Sequence, residues 1–75
     1  MAEYEVMREI YNACAGKWEV DSSFLQEVET DDMVRELAAW HNGNLPPYQV
    51  DTRPDGTTVF TFDPPNRQRY LFSEI

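Results

Sequence analysis

Between residues 3 and 15, apolar side chains recur every three to four positions. Tyr4, Met7, Ile10 (or Tyr11) and Cys14 form a stripe that Val6 and Ala13 widen, while Glu3, Glu5, Arg8, Glu9 and Asn12 mostly fall on the other side. That period predicts an amphipathic helix. Glu3 and Glu5 lie where a helix dipole favours carboxylates, and Gly16 followed by Lys17 suits a helix stop. Residues 18–30 support two readings. Ser23 and Gln26 have the spacing of a capping box, which would open a short helix. Phe24, Gln26, Val28 and Thr30 alternate with Leu25, Glu27 and Glu29, and Phe, Val and Thr favour strands. The alternation predicts an extended segment at 24–29.

A second helix is predicted at 31–41. Thr30 or Asp31 can cap it, and Asp31 and Asp32 suit its first turn. Met33, Val34, Leu37, Ala38 and His41 make one broad stripe with Trp40 at its edge, and Asn42-Gly43-Asn44 and Pro46-Pro47 follow as a stop. From Tyr48 onward the period becomes two. Strands are predicted at 48–52, 57–62 and 68–73, separated by Arg53-Pro54-Asp55-Gly56 and Asp63-Pro64-Pro65-Asn66, both rich in turn residues. In that meander Val50, Phe60, Phe62, Tyr70 and Phe72 share the expected buried face, and Thr57, Val59 and Thr61 face outward.

These elements predict an α+β fold in a single domain spanning residues 1–75. Two helices pack on one face of a three- or four-stranded antiparallel sheet that ends in a C-terminal β-meander. A winged helix uses similar ingredients. Its recognition helix at 31–41 would carry Asp31, Asp32 and Glu36 against a lone Arg35, which disfavours DNA binding.

Charge sharpens this picture. Seventy-five residues carry a formal net charge of -8, and the chain is 41% hydrophobic, too apolar for a disordered segment. Residues 1–36 hold ten acids and three bases; residues 37–75 hold four acids and three bases. So acidic a chain is a poor ligand for nucleic acid or anionic membranes, both of which need Lys and Arg. No apolar run reaches the roughly 18 residues of a membrane span, and no signal peptide is visible, so a cytoplasmic location is expected. The densest acidic stretch lies at 19–32, which makes Glu19, Asp21, Glu27, Glu29, Asp31 and Asp32 the candidate partner-binding residues. Such a field attracts a basic protein or a cation.

Candidate chemistry is sparse. Cys14, the only cysteine, falls on the apolar stripe and reads as a core residue rather than a nucleophile. His41, the only histidine, suits the last turn of its helix, and no oxyanion motif accompanies either residue. The carboxylates of 27–32 have the oxygen chemistry for Ca²⁺ or Mg²⁺ but not the spacing of an EF-hand, and zinc lacks ligands. Glycines stand alone at 16, 43 and 56, so there is no phosphate-binding loop. No catalytic residue and no cofactor is expected.

The stretch Met7-Arg8-Glu9-Ile10-Tyr11-Asn12-Ala13-Cys14, followed by Glu27-Val28-Glu29-Thr30-Asp31-Asp32, resembles small uncharacterised acidic proteins of anaerobic Firmicutes. The resemblance covers the N-terminal half and implies no activity, cofactor or site residue. The expected function is that of a non-catalytic protein-interaction or regulatory domain, with a basic protein as partner and a homodimer as a further possibility. Two alternatives stand beside it: a nucleic-acid-mimic inhibitor from a mobile element, and a divalent-metal-binding protein or minor enzyme subunit.

Overall fold

The computed structural model describes residues 2–65 and 67–75. Its elements are β1 (Ala2–Asn12), β2 (Lys17–Thr30), α1 (Met33–Ala39), β3 (Tyr48–Thr52), β4 (Thr58–Phe62) and β5 (Gln68–Glu74). The strands form one antiparallel sheet in the order β2-β1-β5-β4-β3. This corrects the two-helix α+β expectation: the described residues are mostly β, with five strands and one short helix. The error lies at residues 3–15. Tyr4, Val6 and Arg8 point to one side of β1, and Glu3, Glu5, Met7 and Glu9 to the other, as a strand requires.

β1 lies between β2 and β5, so both of its edges are paired. A hairpin turn joins β1 to β2. The Asn12 side-chain oxygen accepts from the backbone N–H groups of Cys14 and Ala15, and Gly16 N–H donates to the Asn12 carbonyl at 2.8 Å. Gly16 has φ 67°, a conformation that favours glycine. The glycine therefore closes a hairpin rather than a helix. Cys14 is exposed in this turn, not buried in a core.

α1 is the connection from one edge strand to the other. Asp32 caps it, accepting from Arg35 N–H at 3.1 Å, while the buried Thr30 hydroxyl accepts from Asp32 N–H at 3.0 Å. It stops after seven residues, short of the expected 31–41. Asn42 and Gly43 turn left-handed, and Gly43 N–H donates to the Ala38 carbonyl at 2.8 Å. The helix seats Leu37 on Val6, Phe60, Phe62, Tyr70 and Phe72, with Tyr4, Phe24, Val28, Met33, Trp40, Leu45 and Tyr48 around them. Aromatic edges and faces fill this layer: Trp40 stacks on Tyr70 and Phe72, and Phe60 meets Phe72 edge-on.

Among the described residues no helix lies over the second sheet face. Val59 and Leu71 are nevertheless buried there, 4% and 7% exposed, as is Thr57, whose hydroxyl lies 3.2 Å from that of Ser73. Thr57 and Val59 thus leave the expected solvent-facing set, because side chains of the adjoining strands cover them. Val50 shares the helix-side face but is half exposed on the edge strand β3.

Candidate functional site

The six acidic residues singled out in the sequence separate into different jobs. Glu19 accepts from Asn12 Nδ2 at 2.6 Å and helps hold the hairpin end. Asp31 pairs with Arg35 at 3.0 Å, exposed and one helical turn away. Asp32 is the helix cap. Asp21 belongs to an irregularity in β2: β1 advances from Met7 to Glu9 while β2 runs from Leu25 to Val20. The extra residues fold back on themselves, with Asp21 Oδ1 accepting from the Ser23 N–H and hydroxyl. That turn brings Asp21 and Phe24 to the helix side of the sheet. There Arg8 donates from Nε (2.9 Å) and Nη2 (2.5 Å) to Asp21 Oδ2, lies 4.8 Å from the Phe24 ring centre and reaches the Tyr70 hydroxyl at 3.5 Å.

Glu27 and Glu29 remain free of ion pairs among the described residues, and β1 gives them company. Glu5 is the cross-strand partner of Glu27, and Glu3 of Glu29. Four carboxylates therefore occupy two successive rows on the uncovered face. The helix expected at 3–15 leaves Glu3 and Glu5 outside the candidate set, as residues of its first turn. Their signal was the repeated Glu-x-Glu spacing at 3–5 and 27–29, which a strand pair places side by side.

The other end of the same face is cationic and aromatic. Arg69 pairs with Glu9 at 3.2 Å and lies 4.0 Å from the Trp18 ring centre; Tyr11 meets Trp18 edge-on, and Arg67 lies 5.0 Å from the Tyr11 ring centre. A cleft of about 430 Å³ is lined by Ile10, Tyr11, Asn12, Glu19, Val20, Asp21 and Ser22. Both of its carboxylates are already hydrogen-bonded, to Asn12 and to Arg8 and Ser23. Among the described residues no group of three or more His, Cys, Asp and Glu has a metal-holding arrangement. No described helix is long and apolar enough to cross a membrane.

His41 follows the helix rather than ending it. Its ring packs edge-on against Phe62 at 5.0 Å and Tyr70 at 5.8 Å, and Nε2 is buried without a hydrogen-bond partner. Burial first, and the Arg8 charge second, hold its pKa below the ordinary imidazole value. The unfolded chain therefore takes up this proton more readily than the native one. The resulting stability is complete above the unfolded pKa of about 6.5 and is lost as pH falls through the lower native value. Urea midpoints should be level above neutrality and fall in mildly acidic buffer, and His41→Phe should remove that slope. An unchanged slope in the variant would refute the assignment.

No protein family, curated protein or solved structure matches this chain.

Proposed function

We propose that this chain is a non-catalytic protein-interaction domain that engages the cationic surface of a partner through Glu3, Glu5, Glu27 and Glu29. The carrying observation is the pair of like-charged cross-strand rows, Glu3 with Glu29 and Glu5 with Glu27. Directly opposed like charges destabilise a sheet, by about 0.2–1 kcal/mol per pair on the scale of cross-strand interactions. A cation brought by a partner relieves that repulsion, so binding and native strain are coupled at the same atoms. The acidic run at 19–32 as a whole contributes less. Asp21, Asp31 and Asp32 are occupied by Arg8, Arg35 and the helix cap.

The nucleic-acid-mimic alternative draws less support from this arrangement. A mimic needs a long carboxylate stripe to match the regular phosphate spacing of DNA. Two rows about 7 Å apart, the rise of two strand residues, make a compact patch instead.

The test is a variant carrying Glu27→Gln and Glu29→Gln. Its urea midpoint should rise, and a basic partner captured at low salt by the parent chain should be lost. Retained capture by the stabilised variant would refute the proposal.

A further inference from the structure

We infer that the free edge of β3 pairs antiparallel with β3 of a second copy, joining two five-stranded sheets into one. The inference stands apart from the glutamate quartet, which lies toward the opposite edge.

Register fixes which backbone groups of β3 point outward. Asp63 N–H donates to the Pro47 carbonyl at 3.0 Å, and Arg53 N–H to the Thr57 carbonyl at 2.8 Å. Both fit the register that pairs Gln49 with Thr61 and Asp51 with Val59. Opposed residues in an antiparallel pair alternate between bonded and non-bonded. Residues 47, 49, 51 and 53 therefore address β4, whereas Tyr48, Val50 and Thr52 turn their N–H and C=O groups away from it. Those groups have no protein partner among the described residues.

Native edges are usually blunted by lysine, proline or a bulge. Residues 48–52 hold neither lysine nor proline, their register with β4 is unbroken, and Asp51 is their sole charge. Val50, 51% exposed, sets an apolar side chain beside the free backbone. The edge strand at the other side is protected. β2 carries the irregularity between Val20 and Leu25 together with Glu19, Glu27 and Glu29.

The sequence of β3 complements itself. A twofold axis beside Val50, perpendicular to the sheet, opposes Val50 to Val50, Tyr48 to Thr52 and Gln49 to Asp51. Each of the three outward-facing pairs then exchanges two backbone hydrogen bonds. On the other sheet face the Gln49 amide donates to the other copy's Asp51 carboxylate, and symmetry repeats the contact. Moving the axis to Asp51 would lay that carboxylate directly on its twin, and moving it to Gln49 would lay amide on amide; both shifts shorten the ladder. With the axis at Val50 the two aspartates stand diagonally, about 7–8 Å apart. Pro46 and Pro54, the next residues of outward-facing parity, have no N–H, so the ladder ends where β3 does.

Charge also favours this edge. Each copy carries -8, but the glutamate rows on β1 and β2 stand three and four strand spacings from the junction, about 14–19 Å. That exceeds the roughly 8 Å over which exposed charges act at about 0.15 M salt. Pairing through β2 would instead bring both glutamate patches together. A junction of five residues a side is small, so the dimer is weak and depends on concentration.

Sedimentation equilibrium up to about 1 mM chain, with amide hydrogen exchange read by NMR across the same range, tests the inference. A dimer should form. As it does, the N–H groups of Tyr48, Val50 and Thr52 should gain protection, while those of Gln49 and Asp51, already bonded to β4, should not change. Gln49→Glu should weaken the dimer about tenfold, because it opposes carboxylates in both symmetric contacts. Adding Asp51→Lys to that variant restores opposite charges across the axis and should regain the affinity. Both positions are exposed, so thermal melts should show each variant folded. Glu27→Gln with Glu29→Gln should leave the dimer intact, which separates this inference from the reading of the glutamate quartet. A parent that stays monomeric would overturn the inference and leave the edge to an extended segment of another protein. A dimer without new protection at Tyr48, Val50 and Thr52, or a double variant no tighter than Gln49→Glu alone, would overturn it equally.

Discussion

Phe72→Ala is expected to cost about 3–5 kcal/mol, the range for truncating a buried aromatic side chain. The whole domain has roughly 4–11 kcal/mol at the usual stability per residue, so this one change leaves a substantial unfolded fraction. Phe72 is fully buried at the centre of the helix-side layer. It meets Tyr4 and Phe60 edge-on, lies beneath Trp40, and is the cross-strand neighbour of both Val6 and Thr58. Its ring therefore joins β1, β4, β5 and the segment that follows α1. One helix of seven residues cannot settle into the space that the ring leaves, because its ends are pinned by the Asp32 cap and the Gly43 turn. Urea denaturation should show the loss as a lowered midpoint with a similar slope. Leu25→Ala, at an exposed position on the other face, is the control and should stay within about 0.5 kcal/mol of the parent. A Phe72 loss as small as that of Leu25 would show that the aromatic layer does not carry the fold.

That layer explains which parts of the structure could be read from the sequence. The strands at 48–52, 58–62 and 68–74 follow local alternation and local turn chemistry. Gly56 has φ 91° and donates to the Arg53 carbonyl, and Asp55 accepts from Thr57 N–H, as Pro-Asp-Gly sequences favour. The N-terminal hairpin hides its period because its outer face is also apolar. Met7 and Tyr11 on β1, and Trp18, Val20 and Leu25 on β2, lie on the face without a helix. With apolar residues on both faces, strand alternation blurs, and Tyr4, Met7, Ile10 or Tyr11, and Cys14 imitate a helical stripe. The decision falls to β5, paired with β1 across some sixty residues of chain, which no local window includes.

The acidic site was hidden in the same way. A run of carboxylates at 19–32 is visible as a run, but a surface patch is a property of strand pairing. Pairing draws Asp21 away to Arg8 and adds Glu3 and Glu5 to Glu27 and Glu29. His41 is a parallel case. A helix that ends at Ala39, before the expected residue 41, leaves His41 beyond α1 and in the aromatic layer.

Arg8→Ala is the second large effect expected, a loss of about 2–3 kcal/mol, since it removes charge-assisted hydrogen bonds together with a cation–π contact. Arg8 lies on the helix side of a central strand, with only a quarter of its side chain exposed. Its guanidinium joins three strands: Asp21 and Phe24 on β2, and Tyr70 on β5. Removing it leaves the Asp21 carboxylate with Ser23 alone and uncovers the ring of Phe24. Arg8→Met should recover part of the packing and none of the ionic contact, which separates the two contributions. Ser23 first, and Arg8 next, hold the Asp21 carboxyl down at about 2. Its contribution is therefore present above the unfolded carboxylate pKa, near 4, and is lost as pH falls through about 2. In Arg8→Met that acid limb should shrink but persist, because the Ser23 hydrogen bonds remain. The exposed Arg35–Asp31 pair supplies the contrast: Arg35→Ala should change stability by no more than about 1 kcal/mol, and salt should diminish even that. If Arg8→Ala proved as mild and as salt-sensitive as Arg35→Ala, the Arg8 cluster would be a surface ion pair rather than the clasp that shapes the β2 irregularity.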